Sequence, residues 1–191
     1  MKDKAEIINT IIKHKSYNSY LELGVGPNLD TIPQINCKNI SSVDVLKVGE
    51  KFPSFVGTTD EFFINNINKF DVIYIDADHE ETSVLKDFNN SIKCLNEDGV
   101  IFMHDVGPER EIDTALSASG TVYKVFISIR ASNNYTAFSY KFENGDVIGI
   151  VKKRTNENKI NTPSEINYEF YNQNKDTILQ LKNIEQILEL V

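Results

Sequence analysis

Two short apolar runs that end in acid, FDVIYID at 70–76 and GVIFMHD at 99–105, enclose a segment in which Val84, Leu85, Phe88, Ile92 and Leu95 recur on one helical face. Strand, helix and strand at this spacing predict a parallel pair joined by a right-handed crossover, because parallel strands cannot be joined by a tight turn. The EDG at 97–99 is expected to end that helix. A parallel pair needs helices on both faces of its sheet, so this one stretch commits the chain to an α/β architecture.

The same rhythm continues to either side. Asp3 and Glu6 make a capping pair ahead of Ile7, Ile8, Ile11 and Ile12, which predicts a helix over roughly residues 4–14. SYLELGVG, ISSVDV and SFVGTT read as three strands before FDVIYID, making GVIFMHD the fifth. After residue 120 come three strand-like runs, TVYKVFISI, YTAFSYKFE and DVIGIVKKR. The last two are joined by Glu143, Asn144 and Gly145, and Asn-Gly is a hairpin signal. The expectation is a doubly wound, Rossmann-like, mostly parallel sheet closed by a C-terminal antiparallel hairpin, all within residues 1–153. Residues 154–191 would be a polar linker followed by an amphipathic helix from near Asp176. Its Ile178, Leu181, Ile184, Leu188 and Val191 suit packing on the core or on a second copy in a homodimer.

Composition removes several functions. Lys and Arg total 20 against 28 Asp and Glu, a formal charge of −8, which argues against nucleic acid as a partner. Cys37 and Cys94 belong to no CxxC pair, so neither a disulfide framework nor a structural zinc site is expected. The N-terminus does not read as a signal peptide, and no apolar run reaches the roughly 18 residues of a membrane span. The chain is therefore expected to be cytoplasmic, with no membrane partner, and the sequons at Asn39, Asn89 and Asn134 to be chance matches.

In an open parallel sheet the ligand lies beyond the carboxyl ends of the strands. Those positions hold Glu22, Gly24, Gly26 and Asn28, then Asp44, then Thr58, Thr59 and Asp60, then Asp76, Asp78 and His79, then His104 and Asp105. Gly24 and Gly26 allow close approach of the backbone to a ligand, and Asn28 is the side chain best suited to replace a glycine at positive φ. Asp44, 22 residues after Glu22, is placed to accept the hydroxyl protons of a ribose. A dinucleotide is disfavoured because Leu29 stands where G-x-G-x-x-G needs glycine, and there is no phosphate loop. The acidic Glu22 beside the turn suits a cationic ligand, and S-adenosylmethionine carries both an ammonium and a sulfonium.

YLELGVGPN, SVDV, VGTTDEFF, FDVIYIDADHEET and DGVIFMHDV, in this order over about residues 17–153, resemble the class I S-adenosylmethionine-dependent methyltransferases. They are most similar to the branch of metal-dependent catechol-type and macrolide-sugar O-methyltransferases. The resemblance implies a seven-stranded sheet of order 3-2-1-4-5-7-6. It also implies that Glu22, Gly24 and Gly26 line the methionine part of the cofactor, that Asp44 holds the ribose, that Thr59 and Asp60 lie beside the adenine, that Asn28 and Val45 belong to the same cofactor-binding set, and that Asp76 borders both cofactor and acceptor. This sequence has Asn28 where a third glycine is usual, and only a short stretch, with Pro33, between Leu29 and Lys38.

Transfer of a methyl group to a hydroxyl needs the acceptor positioned and deprotonated. By the resemblance His79 is the general base, and Asp76, His104 and Asp105 occupy metal-ligand positions. Asp76 and Asp105 suit magnesium, whereas the imidazole of His104 suits manganese, iron or zinc better. Either a metal site around Asp76 or a plain hydrogen-bond network fits this pattern. Asp78, Glu80 and Glu81 read as helix-start acids, and His14 as a solvated residue. The acceptor site would come from 106–113, the segment near 121–134, and the tail or a partner subunit, with Arg110 and Arg130 as candidates to grip an acidic acceptor. The leading expectation is O-methylation of a small-molecule or sugar hydroxyl. An N- or protein methyltransferase, or an inactive cofactor-binding assembly or regulatory subunit, are the alternatives.

Overall fold

The computed structural model describes residues 3–155 and 159–191. Its first helix, α1 (Lys4–Lys15), starts at Asp3, whose carboxylate accepts the Glu6 N–H, and buries Ile7, Ile8, Ile11 and Ile12. Strand β1 (Ser19–Leu23) follows, then a single 3-10 turn over Ile32–Gln34 in place of a full crossover helix. The chain between Leu29 and Lys38 is too short for more, and Pro33 cannot donate within a longer helix. Strand β2 (Asn39–Asp44) and the two-residue β3 (Phe55–Val56) lead to α2 (Thr59–Asn65), which opens on a reciprocal Thr58–Glu61 capping box.

Strand β4 (Phe70–Ile75), helix α3 (Glu81–Cys94) and strand β5 (Leu95–Met103) form the expected crossover. The EDG does not end α3. The helix stops at Cys94 and β5 takes in residues 97–99, with a register shift against β4 between Phe70 and Val72. Of the predicted helix face, Val84 and Phe88 are buried, whereas Leu85 is exposed. Asp87 and Ser91 take the inward positions instead, because the face runs 84, 87, 88 and 91.

TVYKVFISI is a helix, α4 (Val122–Ala131), and not a strand. Val122, Val125, Phe126 and Ile129 fall on one helical face while Tyr123, Val125, Ile127 and Ile129 alternate as in a strand, and the broad apolar surface needed to cover the sheet decides between them. Strands β6 (Tyr135–Lys141) and β7 (Val147–Lys153) form the hairpin, turning through Asn144 and a left-handed Gly145. The seven strands run β3-β2-β1-β4-β5-β7-β6, parallel except for β7, which is antiparallel to both β5 and β6.

The expected C-terminal amphipathic helix is three short ones: α5 (Tyr168–Gln173), α6 (Lys175–Leu179) and α7 (Ile184–Leu190). The chain breaks at Gln180, which has left-handed backbone, and Leu181 and Lys182 pair with Ser139 on β6. Ile178 and Leu179 pack on one face of the sheet with α3 and α4, while Ile187 and Val191 pack on the other with α1. The tail's buried apolar groups are thus covered within the chain. Among the described residues no helix is long and apolar enough to cross a membrane.

Period-two alternation fixes what each strand offers to each face. Leu21, Leu23, Ile73, Ile75, Ile101 and Met103 face α3 and α4. Tyr20, Val72, Tyr74, Val100 and Phe102 face α1. The next even positions along these three strands are Glu22, Asp76 and His104.

Candidate active site

Beyond its last paired residue each central strand continues the ladder for one residue, with Asp76 N–H donating to the Leu23 carbonyl at 2.8 Å and His104 N–H to the Ile75 carbonyl at 3.1 Å. Asp76 and His104 are therefore as firmly placed as the sheet itself. His104 Nδ1 lies 3.0 Å from Asp76 Oδ1 and 3.0 Å from Asp105 Oδ2, bridging the two carboxylates. The other oxygen of Asp76 accepts from the Tyr74 hydroxyl at 2.8 Å. Asp105 turns away from the strand through left-handed backbone, φ 59°, a conformation uncommon outside glycine that concentrates at functional sites. Its Oδ2 also lies 3.4 Å from His79 Nε2.

His79 is held from behind. Its Nδ1 sits 3.3 Å from the Leu116 carbonyl, and its own carbonyl accepts the Thr121 N–H at 2.8 Å. Gly120, at φ +60°, lies so close that an added Cβ would stand 2.3 Å from the His79 carbonyl oxygen. Asp78 accepts the N–H groups of His79 and Glu80, and Glu80 caps α3 through Thr82 and Ser83, so these acids are helix-start groups as expected.

A residue absent from the sequence expectations completes the group. Lys4, in the first turn of α1, places Nζ 3.1 Å from His104 Nε2 and 4.0 Å from Asp76 Oδ2. Lys4 lies one turn before the buried Ile8 on the same face of α1, but nothing local to it points to residues 76 or 104. Burial works against a charged His104, but the hydrogen bonds and charges of Asp105 and Asp76 outweigh it and push the imidazole up to about 9. Two N–H donors cannot point at one another, so in this contact Lys4 donates to Nε2 of a ring protonated at Nδ1, the nitrogen that faces both carboxylates. Burial also works on Asp105, yet His104 outweighs it and holds the carboxyl below its ordinary range.

Among the described residues, Asp76, His79 and Asp105 offer ligand atoms within 4.8 Å of one another and could hold a cation. His104, expected as a ligand, has both ring nitrogens engaged, and His79 takes its place in this group. Two carboxylate oxygens with one imidazole form a donor set better matched to manganese or iron than to magnesium.

Two cavities flank this group. One, of about 420 Å³, is bounded by Val45, Thr58, Thr59, Asp60, Ala77 and Asp78 at the ends of β2, β3 and β4. Lys86 and Asp60 meet at 2.5 Å at its edge, and the carboxyl of Asp87 in its wall is pushed up to about 6 by burial. The other, of about 470 Å³, opens on His79 and Asp105 and is walled by the loop at 107–110, by Asp113, by 117–119 and by the hairpin tip at 144–147. The hairpin tip was not foreseen as a wall, while residues 122–131 form α4.

The glycine loop divides by role. A Cβ on Gly24 would meet the Asp76 carbonyl oxygen at 2.2 Å, so Gly24 permits β1 and β4 to close, whereas the space beside Gly26, at φ +63°, is open. The Val25 and Gly26 N–H groups donate to Asp44 Oδ2 at 3.0 and 3.1 Å. Left-handed backbone falls on Leu29, φ 54°, and not on the exposed Asn28. Glu22 is buried, accepts from the Tyr20 hydroxyl at 2.5 Å, and is pushed up to about 8, chiefly by burial and further by Asp76. Arg130 is buried too and donates to the Ile178, Ala137 and Thr177 carbonyls, so it ties the tail to the sheet and cannot grip an acceptor. Arg110 borders the second cavity but is paired with Asp113 at 2.7 Å.

A sequence profile of the methyltransferase-domain family matches residues 4–106. The chain belongs to that family. The match starts at α1, which the motif resemblance had left outside. Solved methyltransferases share the fold. Rv0187 from MTB, in cofactor-bound form, is 15% identical with a TM-score of 0.61 over 82% of this chain and 83% of its own. The O-methyltransferase TomG from Streptomyces achromogenes, in complex with SAM, is 11% identical with a TM-score of 0.58 over 78% of each chain. The mycinamycin-pathway methyltransferase MycE, in complex with Mg, SAH and mycinamycin VI, is 15% identical with a TM-score of 0.50 over 82% of this chain and 50% of its own. Comparison with curated protein sequences finds no match. The family and the sheet order bear out the class I, S-adenosylmethionine-dependent methyltransferase assignment.

Proposed function

We propose that this methyltransferase transfers the methyl group of S-adenosylmethionine to a hydroxyl of a small, neutral or cationic, polar acceptor such as a sugar, with His79 as the base. The observation that carries this reading is the placing of His79, Asp76 and Asp105 between two cavities at the carboxyl end of the sheet. The cofactor, when bound, supplies an electrophilic methyl on a sulfonium. Val45, Thr59 and Asp60 would border its nucleoside, Asp44 would hold the ribose while bracing the glycine loop, and the open side of Gly26 leaves room for close approach. Glu22, in the wall behind, favours a positively charged ligand once ionised.

His79 borders the acceptor cavity and its Nε2 receives the hydroxyl proton; the Leu116 carbonyl, accepting from Nδ1–H, keeps the ring turned, and Asp105 stabilises the imidazolium that forms. The Gly120–Thr121 backbone fixes His79 against recoil. A divalent cation held by Asp76 and Asp105 with His79 would supply Lewis acidity toward the acceptor oxygen. His79 would then be a ligand and could not also be the free base. The cavity walls argue for the acceptor class: Asp105, Glu109, Asp113 and Asp146 line it, and Arg110, its one cationic wall residue among those described, is already paired. An anionic acceptor would meet net negative charge.

The test is turnover against a panel of neutral, aminated and acidic hydroxyl compounds, with Asp76→Asn and His79→Gln as controls. Methylation of neutral or aminated members that both substitutions abolish supports the reading; unchanged turnover in the variants, or preference for acidic members, rejects it.

A further inference from the structure

The methyl-transfer reading leaves Lys4 and the bridging position of His104 without a role. We propose that Lys4 and His104 form a resident counter-ion for the Asp76–Asp105 carboxylate pair, so that any divalent cation binding there competes with Lys4 for Asp76. The proposal rests on the reading of Asp76 and Asp105 as reaction-site carboxylates.

Three features of the site point the same way. Strand alternation aims Asp76 and His104 at the face covered by α1, where Lys4 is fixed in a turn begun by the Asp3 cap. His104 Nδ1 lies 3.0 Å from one oxygen of each carboxylate, which is where a bridging cation would draw the pair together. Lys4 Nζ lies 4.0 Å from the second oxygen of Asp76. This arrangement compensates the carboxylates from within the chain. A divalent ion seated on Asp76, His79 and Asp105 would bring its charge close to the ammonium, and the repulsion must lower its affinity or displace the side chain.

The experiment is titration of the full chain with Mn(II), read by the loss of the free-ion electron paramagnetic resonance signal and by calorimetry, without substrate. Lys4→Met keeps the alkyl stem and removes the charge. It is expected to bind Mn(II) about tenfold tighter than the wild type or better, including the case where wild-type binding is undetectable. Lys4→Arg should match the wild type, Lys4→Gln should follow Lys4→Met, and Asp76→Asn should weaken binding in every background. Equal or weaker binding in both neutral variants, with Asp76→Asn still weakening it, overturns the counter-ion proposal alone. Absence of Mn(II) binding in all variants overturns it together with the reading of Asp76 and Asp105 as a cation site.

Discussion

Substituting Gly120 by alanine tests whether the placement of His79 governs the chemistry. The new Cβ would stand 2.3 Å from the His79 carbonyl oxygen and 2.5 Å from its Cβ, where ordinary contact starts at 3.4 Å, so the two segments must part by about 1 Å. Gly120 also holds φ +60°, which costs a residue with a side chain about 1–2 kcal/mol. A misplacement of that size in a positioned group lowers turnover on the order of 100-fold. The expected result for Gly120→Ala is a fall in kcat of about that size and a melting point lower by several degrees. Affinity for S-adenosylhomocysteine should change little, because the Val45–Thr59 cavity lies on the other side of Asp76. Initial rates, calorimetry and thermal melts measure the three quantities. A cooperatively folded variant with kcat within about twofold of the wild type would refute the role given to His79.

Other substitutions probe separate parts of the site. His79→Gln should lower kcat by roughly 10²- to 10⁴-fold and leave cofactor affinity intact, as read by single-turnover rates and calorimetry. Arg130→Met removes a guanidinium that donates to three carbonyls at 2.9–3.2 Å, and should destabilise the chain by about 2–4 kcal/mol in denaturant melts, with proteolysis beginning at the tail. Glu22, held up to about 8 by burial, stabilises the fold in its protonated form. That contribution is complete below pH 4.5 and is lost as pH rises through 8, so the wild type should lose stability relative to Glu22→Gln across this window. Melting curves that stay parallel from acid to alkaline pH would contradict it.

The fold was legible wherever periodicity had one solution. The run of parallel strands, the crossover at 70–105 and the Asn144–Gly145 hairpin each follow from local pattern and turn chemistry. TVYKVFISI was ambiguous because its apolar positions satisfy both periods, and only the uncovered sheet face selects the helix. The tail's heptad-like stripe misled for another reason: the bridge of Leu181 to Ser139 on β6, with Lys182 N–H donating to the Ser139 carbonyl, draws the chain out of helix at Gln180, a contact that no local pattern announces. At the site, strand ends identified Asp76, His79, His104 and Asp105. Their partners were hidden by distance along the chain, with Gly120 and Thr121 some 40 residues after His79 and Lys4 another 72 before Asp76. The left-handed turn at Asp105 was not read from the sequence, although aspartate is among the side chains that reach positive φ most readily.

The central claim, that the glycine loop, Asp44 and the Thr59–Asp60 turn bind a methyl donor, is tested most directly by calorimetric titration of the chain with S-adenosylmethionine and S-adenosylhomocysteine. Saturable binding of both at one site per chain, weakened at least about tenfold by Asp44→Ala, is expected. The absence of binding by a cooperatively folded wild-type protein, with or without added Mn(II), would contradict it.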